Sequence, residues 1–151
     1  MRQLFFGSQY PDDKLEDFFQ YLAESEAMLW FLGMIPQFAD FERVVQRGIV
    51  GWDGEKTDSE RILVMVGELD ALMDVAMMRR LAARYRQVVR ESIGEKKLVN
   101  VSDVGYSEVA FTEDRENGVR LVVVKGAGHH VQNDLQWEVG AWRIADFLQQ
   151  L

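Results

Sequence analysis

The chain has 151 residues, 48% of them hydrophobic and 28% charged, enough to bury the core of one domain. A net charge of -8, from 17 Lys and Arg against 25 Asp and Glu, disfavours nucleic acid or an anionic membrane surface as partner. The absence of cysteine excludes a disulfide framework, thiolate metal sites and a cysteine nucleophile.

The opening residues Met1 to Gly7 hold an apolar stretch too short for the core of a signal peptide. No apolar run approaches the ~20 residues needed to span a bilayer. The expectation is a soluble, cytoplasmic chain. Leu4-Phe5-Phe6 enters a loop at Gly7 to Pro11, and Asp12 and Asp13 offer N-cap chemistry for a helix. Leu15, Phe18, Phe19 and Leu22 follow helical spacing, and Met28 to Leu32 is dense and aromatic. After the break at Pro36, Phe38 to Ile49 reads as another helix, and 51–60 as a polar loop.

Ile62 to Val66 is apolar on both faces, as a strand inside a parallel sheet is. Asp74 through Ser92 is predicted to be a long helix with Val75, Met78, Leu81, Ala82, Tyr85 and Val88 on one face. Leu98 to Phe111 suggests one or two short strands. Asp114 to Gly118 reads as a turn, since Asn-Gly favours positive φ. Val119 to Val124 is a second buried strand. Asn133 or Asp134 is placed to cap a last helix whose apolar face holds Trp137, Ala141, Ile144, Phe147 and Leu148.

Two points on this plan carry chemistry. Gly67-Glu68-Leu69-Asp70 puts a carboxylate just past the carboxyl end of a buried strand, where α/β sheets place ligands and catalytic groups. Asp70 could hold a histidine in its tautomer, or only satisfy amides of the turn. Gly126-Ala127-Gly128 then follows the second strand and precedes the chain's 2 histidines, His129 and His130. An imidazole in that loop can reach a carboxylate on the neighbouring strand and suits general base work near neutral pH; a purely structural histidine is the plain alternative. Adjacent histidines rarely aim at one ion, so no metal and no cofactor is expected. Gly51 to Thr57 departs from the phosphate-binding loop pattern, and a strand follows it where that motif needs a helix. The aromatics Phe18, Phe19, Tyr21, Trp30, Phe31, Phe38 and Phe41 could line an apolar pocket or simply fill a core, and Trp52 is a lid candidate.

The order acid strand, helix, histidine strand, helix, with Asp70 and His129 59 residues apart, resembles the C-terminal portion of the α/β-hydrolase superfamily. The run Gly126-Ala127-Gly128-His129-His130-Val131-Gln132-Asn133-Asp134, with Trp137-Glu138, is most similar to a fungal-type branch. That branch contains esterases and carbon–carbon hydrolases of small metabolites. The resemblance implies a partial α/β-hydrolase fold: a single domain over 1–151, with a helical cap-like segment at 13–50 and a mostly parallel sheet with C-terminal helices over 51–151. It implies Asp70 as the acid and His129 as the base of a Ser-Asp-His triad, with His130 as the fallback.

The family's nucleophile, a serine in Gly-x-Ser-x-Gly, precedes both. None of Ser8, Ser25, Ser59, Ser92, Ser102 and Ser107 stands in that pentapeptide. The expectation is therefore a hydrolase half that is inactive alone. The partner would be a second chain carrying the nucleophile, or another copy meeting it through an exposed strand edge; the remaining alternative is that the cap helices rearrange over that edge. The alternative is a degenerate, non-catalytic module that binds a small apolar ligand or a protein.

Overall fold

The structure, a computed structural model, describes residues 5–20, 41–45, 60–93, 106–107 and 110–151. Its elements in chain order are helix α1 (Asp12–Gln20), the short helix α2 (Phe41–Arg43), strand β1 (Ile62–Gly67), helix α3 (Val75–Ile93), strands β2 (Tyr106–Ser107), β3 (Phe111–Glu116) and β4 (Val119–Val124), a 3-10 turn at Val131–Asn133, and helix α4 (Trp137–Gln149). The strands form one sheet in the order β1-β4-β3-β2. The architecture is α/β, with α3 on one face of the sheet and α4 on the other.

The pairing departs from the expected mostly parallel sheet. β1 and β4 are parallel in the register Ile62↔Val119 to Gly67↔Val124, whereas β3 runs antiparallel to β4 and β2 antiparallel to β3. The reason lies in a segment that reads as a turn. Asn117 at φ 48° and Gly118 at φ 71° make a tight two-residue reversal, so Asp114 to Glu116 belong to β3. Nothing apolar alternates there. Charge pairing takes its place. Glu113 lies toward α4, where Arg115 and Arg143 meet it. Asp114 and Glu116 meet Arg86 of α3 at 3.0 and 3.6 Å.

β4 is buried at every position, so its two faces divide the core. Val119, Leu121 and Val123 join Val64 and Val66 of β1, Ala82, Val88 and Val89 of α3, and Val45 beyond α2. Phe41 meets Tyr85 edge-on at 5.0 Å between ring centroids. The α3 helix starts as its sequence predicts: Asp74 Oδ1 accepts the Met77 amide at 2.6 Å. On the opposite face Val122 and Val124 pack with Ala127 and Val131.

That second face also holds Arg120, which has no solvent exposure. Its guanidinium donates to Glu60, to Asp146 Oδ2 at 2.6 Å and to Gln150 Oε1 at 2.6 Å. Burial works against its charge, but the Glu60 and Asp146 carboxylates overcome this and raise its pKa. The same hydrogen bond from Arg120 holds the Asp146 carboxyl below the usual range.

This arrangement rotates α4 away from the expected packing. Of Trp137, Ala141, Ile144, Phe147 and Leu148, only Phe147 is buried; Trp137 is 51% and Leu148 60% exposed. Arg143, Asp146 and Gln150 point to β3 and β4, and Gly140 lies against Met65 of β1. At about 100° per residue, the exposed apolar stripe 137/141/144/148 lies beyond Gly140, on the side away from β3. Among the described residues no strand pairs with the outer edge of β1.

At the N-terminal end, helix α1 begins at Asp12, so Asp12 and Asp13 occupy its first turn and the Pro11 carbonyl accepts the Leu15 amide at 3.1 Å. Of the expected cap segment 13–50, residues 21–40 and 46–50 lie outside the described residues, as do Trp52, the loop 51–59 and most of 98–109. No helix of the described residues is long and apolar enough to cross a membrane.

Candidate acid–histidine site

β1 and β4 run parallel, so both deliver their next residues to the same edge of the sheet. Beyond β1 the chain turns tightly: the Asp70 amide donates to Gly67 O at 3.2 Å, and the Leu69 amide donates to Ala127 O at 2.8 Å. These bonds tie the acid turn to the histidine turn. A Cβ on Gly67 would collide with the carbonyls of Ala127 and Gly128, so only glycine lets the two turns lie this close.

Asp70 is 8% exposed and its carboxylate is fully engaged. Oδ1 accepts the amides of Leu72 and Met73, both at 2.8 Å, and Oδ2 lies 2.9 Å from His129 Nδ1. The two readings of Asp70 are thus joined in one side chain: one oxygen serves the turn and the other serves the histidine. A carboxylate only accepts, so Nδ1 carries the proton and Nε2 is the basic nitrogen of the ring. His129 keeps 30% of its side chain exposed, against 5% for Asp70. A buried, doubly anchored acid thus orients a solvent-accessible imidazole. That geometry suits a general base.

His130 has a different setting. Its ring meets those of Phe5 and Phe18 edge-on, each at 5.2 Å, and Phe6 at 5.9 Å. Gln132 Nε2 lies 3.2 Å from its Nδ1. Burial first, and then the neighbouring His129, push its pKa below the ordinary histidine value, with Asp70 acting in the opposite sense. His130 stands 2 residues from Gln132 and belongs to an aromatic cluster, with no described contact to Asp70's carboxylate oxygens. The fallback role has no geometric support.

Sequence reasoning missed the residue that organises this loop. Asp134, 2% exposed, does not cap α4: the N-cap residue of that helix is Gln136, which makes no side-chain cap bond. Asp134 Oδ1 accepts the Leu135 amide at 2.7 Å, and Oδ2 accepts the amides of Gly7 at 2.7 Å and Gly128 at 2.8 Å. An acid near a helix start reads as a cap, and nothing local distinguishes a cap from a long-range clasp. Glu68 likewise turns back, its Oε2 accepting the Gly126 amide at 3.0 Å.

Among the described residues no group of three or more His, Asp or Glu is placed to hold a metal ion. Phe18, Phe19 and Phe41 are described and pack with other rings; the remaining aromatics of the expected cluster, Tyr21, Trp30, Phe31 and Phe38, lie outside the described residues. Compared with protein-family models and with curated proteins, the chain matches none.

Proposed function

We propose that this chain is the acid- and histidine-bearing portion of an α/β-hydrolase-like enzyme. It supplies Asp70 and His129 to a serine held outside these 151 residues. The reaction would be ester or carbon–carbon hydrolysis of a small metabolite. The observation that carries this reading is the 2.9 Å contact between Asp70 Oδ2 and His129 Nδ1 at the carboxyl ends of two parallel strands. In this role Asp70 holds the tautomer and stabilises the imidazolium. His129 Nε2 takes the serine proton and returns it to the leaving group. The outer edge of β1 and the exposed stripe of α4 support a partner on that side, whether a chain carrying the nucleophile or a second copy of this one.

The test is a serine-directed fluorophosphonate probe, applied to the chain alone and to the chain with a candidate nucleophile-bearing partner. The chain alone is expected to remain unlabelled and the pair to label. In the pair, His129→Ala should lower ester hydrolysis by on the order of 10⁴-fold or more and leave association intact. Full activity in that variant would remove the triad assignment.

A second reading rests on the α4 stripe rather than on the site. A non-catalytic module would use Trp137, Ile144 and Leu148, each roughly half exposed or more, to bind an apolar ligand or partner. Association without probe labelling in any pair would favour it.

A further inference from the structure

We infer that Asp134 is a positioning residue that makes the seating of His129 depend on the N-terminal segment. The inference rests on His129 being the base of the site. Alternate amides of the turn that carries the histidine are each held by a different part of the chain. The Gly126 amide is held by the Glu68 carboxylate from the β1 exit, the Gly128 amide by Asp134 Oδ2, and the His130 amide by Phe5 O at 2.8 Å. His129 stands between the last two anchors. Asp134 Oδ2 takes a second bond from the Gly7 amide, 127 residues away in sequence.

One buried carboxylate oxygen is therefore shared between the histidine turn and the segment Phe5 to Gly7. The backbones also touch, since a Cβ on Gly128 would strike the Phe6 main chain. If the segment departs, Asp134 Oδ2 keeps half its partners and the His130 amide loses its acceptor. A buried charged acceptor stripped of a donor pulls on whatever donor remains, here the Gly128 amide next to His129. Asp70 would then face a ring whose backbone support has shifted. Docking of the N-terminal segment and alignment of the acid–histidine pair are one event.

The experiment is NMR on the full chain, reading two signals: hydrogen exchange at the Gly128 amide, which reports the clasp, and the His129 Nδ1–H resonance, which reports alignment on Asp70. Asp134→Asn has one carbonyl oxygen and cannot serve Leu135 together with both glycines. Gly7→Ala acts from the other end, because its Cβ would collide with Gly126 O. Both variants are expected to quicken Gly128 exchange by about tenfold or more and to abolish or broaden the His129 line. Phe147→Leu, which loosens α4 far from the turn, is expected to leave both signals in place. An unchanged His129 line in Asp134→Asn and Gly7→Ala would overturn the inference, and so would its loss in Phe147→Leu. A missing His129 line in the unaltered chain, alongside a protected Gly128 amide, would count against the Asp70–His129 pair and not against the clasp.

Discussion

The two faces of β4 are built from different physics. Toward α3, the side chains of Val119, Leu121 and Val123 pack into an apolar cluster. The one buried cation of that helix, Arg86, lies at its margin, where it donates to Val119 O at 3.4 Å and pairs with Asp114. Toward α4, Arg120 precedes Val122 and Val124, and it gathers Glu60, Asp146 and Gln150 around a guanidinium that water does not reach. The dry face gains free energy in proportion to area and asks little of geometry. The charged face offsets a large desolvation cost only while every partner stays in place. One face thus tolerates small errors, and the other specifies how α4 must lie.

The largest expected effect follows from that contrast. Arg120→Ala should cost about 3–5 kcal/mol in urea denaturation, because it strands Glu60 and Asp146 beside a hole in the sheet. A cost under about 1 kcal/mol would mean that the network contributes little and that the other contacts of α4, among them Phe147, Val139 and Arg143, hold it in place. Next comes the dry face: Val123→Ala should cost about 2 kcal/mol, the lost methyl groups plus a residual cavity. A Val123→Ala variant less stable than Arg120→Ala would reverse the comparison.

The smallest effect belongs to His130. Its folded pKa lies below its unfolded value, so the unfolded chain binds the proton more readily in between. Stability should therefore be full above the unfolded value near 6.5 and fall as pH drops from there toward the lowered folded pKa. His130→Phe, which keeps the aromatic contacts with Phe5 and Phe18, should flatten that slope in melts between about pH 5 and 7. An unaltered slope would assign the dependence to other groups.

The same division explains what could be read from the sequence. β1, β4 and the buried face of α3 were legible because apolar side chains repeat at the period of their element. The placement of Asp70 and His129 at one edge of the sheet was legible because each follows such a strand through a glycine-containing turn. β3 was not legible: Phe-Thr-Glu-Asp-Arg-Glu has no apolar alternation, and its strand state depends on Arg86, Arg115 and Arg143. The burial of α4 was misread for the same reason. Its periodicity selects Trp137, Ile144 and Leu148 for the core, but Arg120 draws Asp146 and Gln150 inward and leaves those residues outside. Asp134 shows a further limit. Its partner Gly7 is 127 residues distant, and no local rule couples two such positions.

The parallel pairing of β1 with β4 also sets the order of assembly. The β3–β4 hairpin closes across two residues and can form within microseconds of collapse. β1 must find β4 across a crossover that includes α3 and the hairpin itself, so the entropy of a long loop is lost before any contact rewards it. Asp70 and His129 sit at the far end of that pairing, beyond Gly67 and Val124. Their contact therefore waits on that pairing, and a chain that has folded only its hairpin does not bring Asp70 to His129.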